Sequence, residues 1–209
     1  MLQVCVFFVA GPLAAQGIAM ARVVAQTLVL AVLIVVVVLS PRRGAIALIS
    51  LGLGLAAIAT SVLPGQEWSP LEITMLRRGG DVLAFSALTW VVAHAVYARG
   101  RITSSRLQGA AVIYLNLAAI FAAVFSLIWD LNPTAFANLP APTGGPDELA
   151  TMMYFSLTTL TTTGYGDIAP VDPFARSLAN FEAVAGQFYI AITVARLVTL
   201  EIEGRRPLT

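Results

Sequence analysis

The sequence predicts an all-α membrane protein of five or six transmembrane helices. Three observations carry that prediction. First, 58% of the 209 residues are hydrophobic and 11% are charged, with a mean hydropathy of +0.86; soluble domains carry about 25% charged residues. A soluble sphere of 22.0 kDa has too little interior for that much apolar surface. Second, the apolar residues fall into runs near the spanning length of roughly 17–25 residues. Third, the charges between the runs are sorted by side. A disordered chain, which needs low hydrophobicity, is excluded as well.

Composition also removes whole chemistries. All 12 basic residues are arginine. Without lysine there is neither a Walker phosphate loop nor a lysine Schiff base. A net charge of +1 gives no reason to expect nucleic acid as a partner. One cysteine, Cys5, and one histidine, His94, make neither an intrachain disulfide nor a Cys/His metal cluster. Cys5 reads as a small apolar residue. Neither an enzyme nor a cofactor is expected.

The elements follow in order. Val4–Met20 decides between five and six spans. Gly11-Pro12 interrupts it and only Ala21-Arg22 separates it from the next run. No basic region precedes it, which argues against a cleaved signal peptide. Val23–Leu39 and Gly44–Leu63 are two spans around the polar turn Ser40-Pro41-Arg42-Arg43. Leu63-Pro64-Gly65 stops the second of these. Ser69-Pro70-Leu71-Glu72 is a helix start, with Ser at the N-cap, Pro at N1 and Glu at N3. A short interfacial helix is expected from there to Arg78, with Trp68 at headgroup level and Gly79-Gly80 as its end. Val82–Ala98 and Leu107–Trp129 are further spans. Phe174–Leu200 is the last; at roughly 40 Å it is long enough to tilt and protrude.

Val82–Ala98 contains no arginine, so it lacks the ladder of a voltage sensor. Residues 1–106 therefore read as a transmembrane scaffold and residues 107–209 as a second unit. With Thr209 so close to the last span, no nucleotide- or calcium-binding control domain is expected. Arg42, Arg43, Arg99, Arg101, Arg106, Arg205 and Arg206 fall on one side if the spans alternate. Arg22, Arg77, Arg78 and Arg176 share the other with most of the acids. The arginine-rich side, including the C-terminus, should be cytoplasmic.

Asp130–Phe174 is too long for a turn. Its first part, to Pro146, is rich in proline and reads as an exposed loop. Asp147–Thr161 reads as a helix with acids at its positive end. At about 15 residues, roughly 22 Å, it cannot cross and return. It must enter from outside and stop partway, which is tolerated only against protein or a water-filled cavity.

Thr161-Thr162-Thr163-Gly164-Tyr165-Gly166-Asp167 follows. Carbonyls alternate sides along an ordinary extended chain. Aiming them one way requires left-handed dihedrals at alternate residues, which glycine adopts without steric cost. The result is a column of carbonyl oxygens, joined by the Thr162 hydroxyl, that could replace the water around a monovalent cation. One chain supplies a quarter of each cage, so four are needed.

Here the chain resembles the potassium-channel pore family, whose filter is Thr-Val-Gly-Tyr-Gly. This sequence has Thr162-Thr163-Gly164-Tyr165-Gly166, with threonine for valine at Thr163. The resemblance covers Leu107–Leu200 and extends to Tyr154–Leu160 before the filter and Ile168-Ala169-Pro170 after it. The four leading spans make the chain similar to small six-span prokaryotic channels. The resemblance implies a homotetramer in the cell membrane, in contact with lipid, passing K⁺ held by Thr162, Thr163, Gly164 and Tyr165. It also implies filter support around Asp167. A weakly selective cation channel and a non-conducting interaction protein on the same helices are the alternatives.

Residues of the last span complete the expected site. Gly186 sits near its middle, either as a hinge or as a close-packing position. Gln187, Ile190, Val194 and Leu197 follow on or near one face, which should line the cavity and form an apolar gate. Glu182 lies too deep to remain an unpaired carboxylate. It is expected to brace the filter from behind, protonated or hydrogen-bonded to a pore-helix threonine such as Thr158; reaching water in the outer vestibule is the other option. His94 is expected to be a hydrogen-bonded interfacial residue rather than a pH sensor.

Overall fold

The computed structural model describes residues 70–98, 104–142 and 147–205. The expected spans Val4–Met20, Val23–Leu39 and Gly44–Leu63 lie outside the described residues. Among the described residues there are four helices: α1 Pro70–Val96, α2 Ser104–Leu131, α3 Asp147–Leu160 and α4 Pro173–Arg205. Two short strands, β1 Phe136–Ala137 and β2 Ala169–Pro170, pair antiparallel. Among the described residues, three helical stretches are long and apolar enough to cross a membrane: Thr74–Val96, Ser104–Leu131 and Pro173–Thr199.

α1 corrects an expectation. Pro70 opens the helix and Glu72 lies in its first turn, but Gly79-Gly80 does not end it. The helix runs 27 residues through both glycines. Each glycine costs about 1 kcal/mol relative to alanine. Packing along α2 outweighs that, and it is close: a Cβ on Gly109 would sit 2.5 Å from the buried Val96 side chain. Arg78 is correspondingly not in an outer loop. It is a buried helix residue, 3% exposed.

The core gathers around the small and aromatic residues of α2. Ala118, Ala122 and Phe125 are fully buried against Met152 and Phe155 of α3 and Ala175 of α4. The Phe125 ring meets Phe155 edge-on at 5.0 Å and Phe136 at 6.0 Å, a favoured aromatic geometry. Small alanines let α2 lie close beneath α3, so the short helix is enclosed by its own chain on that side.

β1 and β2 clip the segment before α3 to the segment after the loop of residues 161–167, with Phe136 opposite Pro170 and Ala137 opposite Ala169. The Val171 amide donates to the Ala135 carbonyl at 2.8 Å. Asp172 then caps α4: its Oδ1 accepts from the amides of Phe174 (2.9 Å) and Ala175 (3.0 Å), and Pro173 takes the first helical position. On the far side, Tyr97 after α1 hydrogen-bonds Thr193 of α4 at 2.8 Å, and the Tyr189 hydroxyl donates to the Ala110 carbonyl at 2.7 Å. α1, α2 and α4 are thus tied together there by tyrosine hydroxyls.

Candidate functional site: the loop after the short helix

α3 has 14 residues, about 21 Å at 1.5 Å per residue. It ends at Leu160, and the chain then folds back on the helix end. The amides of Thr161, Thr162, Thr163 and Gly164 donate to the carbonyls of Leu157, Thr159, Thr158 and Thr158, at 3.0, 2.9, 2.8 and 3.1 Å. The helix's last acceptors and the loop's first donors satisfy one another.

The loop alternates in hand. Thr162, Gly164 and Gly166 have φ of 58°, 54° and 80°, while Thr163 and Tyr165 between them keep negative φ. The left-handed geometry expected at the two glycines is present, and it starts one step earlier. Thr162 is β-branched, a type that rarely adopts positive φ. Strain of this kind persists only where the surroundings impose it. The Thr162 hydroxyl donates to the Thr161 carbonyl at 2.6 Å and lies 3.4 Å from Gln187 Nε2 of α4.

Thr161 to Asp167 are all exposed on the single chain, Tyr165 at 71%. Their backs are held nonetheless. The Thr163 hydroxyl, the atom that distinguishes it from valine, is 2.8 Å from the Thr161 hydroxyl, which donates to the Leu157 carbonyl at 2.7 Å. The Tyr154 hydroxyl donates to Asp167 Oδ2 at 2.7 Å, and the Asn138 amide to the Asp167 carbonyl at 3.0 Å. The rings of Tyr154 and Tyr165 are nearly parallel at 6.3 Å. Tyr154's donated proton holds the Asp167 carboxyl below the usual range, and the same bond pushes the tyrosine up to about 12.

Glu182 is fully buried behind α3. Its partner is Ser156, not Thr158, whose hydroxyl donates instead to the Phe155 carbonyl at 2.9 Å. Ser156 and Thr158 point about 200° apart on a helix, and Ser156 is on the side facing α4. The Ser156 hydroxyl also reaches the Ala118 carbonyl at 2.8 Å. That hydroxyl thus lies between two oxygens, the Glu182 carboxyl and the Ala118 carbonyl. Among the described residues, Glu182 Oε2 has no hydrogen-bond partner.

α4 sorts the remaining expected residues. Ala175, Ala179, Glu182, Gly186 and Thr193 form its buried stripe, at spacings of three, four and seven. A Cβ on Gly186 would collide with the Leu160 carbonyl oxygen, so close packing explains this glycine. The same oxygen accepts from the Tyr114 hydroxyl at 3.2 Å. Gln187, Ile190 and Val194 are exposed, while Leu197 is half-buried and lies nearer the packed stripe. Gln187 borders an open recess of about 490 Å³ with Thr162, Ala183, Val184, Phe188 and Ala191. Ala183, Val184 and Ala191 had no signal in the sequence beyond their spacing from Gln187. His94 is exposed, and its Nδ1 lies 2.9 Å from the Trp90 carbonyl.

Residues 110–203 match the family model described as an ion channel. The matched stretch is a little under half of the chain and runs from α2 through α3 and the loop of residues 161–167 into α4. The fold is that of an all-α membrane channel, and the match supports ion-channel function. No curated protein and no solved structure matches the chain.

Proposed function

We propose that four copies of this chain surround one axis as a passive, potassium-selective channel of the cell membrane, and that the chain is not an enzyme. The observation that carries this reading is the alternation of hand at Thr162, Gly164 and Gly166 in a loop wholly exposed on the single chain. Alternation turns successive carbonyls toward one side, and the exposed side then belongs to the axis. K⁺ is the permeant ligand, held by Thr162, Thr163, Gly164 and Tyr165, with no cofactor. Residues 107–209 form the pore unit and residues 1–106 the scaffold, with the C-terminus in the cytoplasm. Gln187, Ile190 and Val194 line the path below the filter.

Phe174, Phe181, Phe188 and Ile192 of α4 are each more than half exposed. Apolar surface of that extent is what neighbouring subunits and lipid would cover. The Thr163 hydroxyl is engaged behind the loop and leaves the carbonyl free, which favours potassium selectivity over a loosened filter.

The test is reconstitution of the purified chain in liposomes, with reversal potentials measured under K⁺ and Na⁺ gradients and mass measured in mild detergent. A tetramer whose reversal potential follows the potassium gradient is expected. A reversal potential near zero in mixed salt indicates a weakly selective cation channel. A folded tetramer without current indicates the non-conducting alternative.

A further inference from the structure

α1 precedes the stretch that matches the ion-channel family, and yet one of its residues reaches the pore helix. Arg78 Nε lies 2.9 Å from Asp130 Oδ2 at the end of α2, and its Nη2 lies 3.0 Å from Glu148 Oε2 in the first turn of α3. The three side chains are 3%, 9% and 4% exposed. We propose that Arg78 is a positioning residue for the ion pathway: it docks the outer end of the pore helix α3 against α2 and thereby sets where the filter stands. The functional half of this proposal rests on the conduction reading above; the docking half does not.

The charges explain why an arginine is needed. Asp130 sits in the last turn of α2, the end where a carboxylate is disfavoured by the helix dipole, and no basic residue in that turn offsets it. It is also nearly buried, so a cation must come from elsewhere. Glu148 occupies the favourable end of α3 but is buried too. The planar guanidinium offers donors in fixed directions, so bonding two carboxylates from two helices fixes the angle between those helices. A lysine would supply the charge without the angle.

Stability alone does not account for the arrangement. Buried ion networks often add nothing over apolar residues of similar volume, because desolvation cancels the attraction. What such a network does provide is a single register. α3 is bonded to α4 in its middle by Ser156 and Glu182, and its last carbonyl is fixed by Tyr114 and Gly186. Arg78 supplies the third point, at the end farthest from the filter, where a small change in angle is carried along the rigid helix to the loop. The scaffold helix α1 thus contributes a positioning residue to the pore unit.

The experiment compares wild type, Arg78→Met, Arg78→Lys and the apolar triple variant Arg78→Met, Asp130→Leu, Glu148→Met as full chains in detergent and in bilayers. Amide hydrogen exchange over residues 149–160, thermal midpoint and open-burst duration are read for each. Arg78→Met should speed exchange in 149–160 by about tenfold or more, as expected for the loss of a charge-assisted bond, with the rest of α2 little changed. Arg78→Lys should recover part of that. The triple variant should melt like wild type, having no unpaired buried charge, yet keep the fast exchange and show shortened bursts. If Arg78→Met fails to fold, the triple variant decides alone. Unchanged exchange in 149–160, or a triple variant with wild-type exchange and bursts, overturns the proposal. A wild type that carries no potassium current overturns the conduction reading instead, and the exchange data still decide the docking.

Discussion

Behind the loop of residues 161–167, the chain meets its own α2 and α4; in front of it, none of the described residues packs against the loop. The back is close-packed and bonded by Ser156 to Ala118 and Glu182, by Tyr114 to Leu160, and by the bare Cα of Gly186. The front, Thr161 to Asp167, is exposed throughout. Space forces the glycine at the back. Backbone hand requires the glycines at the front: a Cβ on Gly164 or Gly166 would touch nothing within 4 Å. The support is thus built within one chain, while in the proposed channel the exposed face would be completed by neighbouring copies.

The sharpest way to break this contrast is at the back. Gly186→Val drives side-chain atoms into the Leu160 carbonyl, and overpacking of this kind costs about 1–3 kcal/mol per chain. The expected outcome is a lower thermal midpoint and loss of the assembled protein, read by melting and by mass in detergent. A variant that assembles and melts like wild type would mean that α4 does not seat on α3 through this residue.

Gly166→Ala acts only at the front. It places a Cβ on a residue with φ of 80°, at a cost on the order of 1–2 kcal/mol. Apart from its chain neighbours, no described residue lies within 4 Å of that Cβ, so the midpoint should fall less than for Gly186→Val. Selective current should nonetheless be lost while the tetramer persists. Intact current with intact potassium preference, read from reversal potentials, would place the ion path elsewhere.

The smallest effect belongs to the bond joining front and back, Tyr154 to Asp167. Asp167's folded value is lowered, so its contribution is present above the usual carboxylate range and is lost as pH falls through the lowered value. Tyr154's is raised from 10.0 to about 12, so its contribution is full below 10 and is lost as pH rises through about 12. Both groups are exposed on the single chain, so the change should be slight. Open-burst duration should stay flat from mildly acid pH to about 10 and shorten above it. Tyr154→Phe should remove that alkaline step; its survival in the variant would assign it to another group.

The local parts of this site were legible in the sequence, and the distant ones were not. The acids and threonines of Asp147–Thr161 mark α3 to within a residue, and glycine at alternate positions marks the left-handed steps. Thr162 was not legible, because a β-branched residue gives no sign of positive φ until the helix end behind it is built. Gly79-Gly80 misled because local preference is weak against packing along a neighbouring helix. Arg78 reads in sequence as an outer-loop residue rather than a buried helix residue, since its partners are 52 and 70 residues away. Glu182 was expected to find a partner on the pore helix and does, but choosing Ser156 over Thr158 needed the rotation of α3 relative to α4.

The turn-back of four successive amides onto the end of α3 also bears on the sign of charge the loop can welcome. Thr161, Thr162, Thr163 and Gly164 have all given their N–H groups to carbonyls of the helix behind them. A halide needs donors, and along this stretch the backbone has none left to offer. What remains uncommitted is oxygen lone pairs, which suit a cation and repel an anion. In the proposed channel, discrimination by charge would come before any choice among cations, and it would be built into how the chain closes the end of a helix.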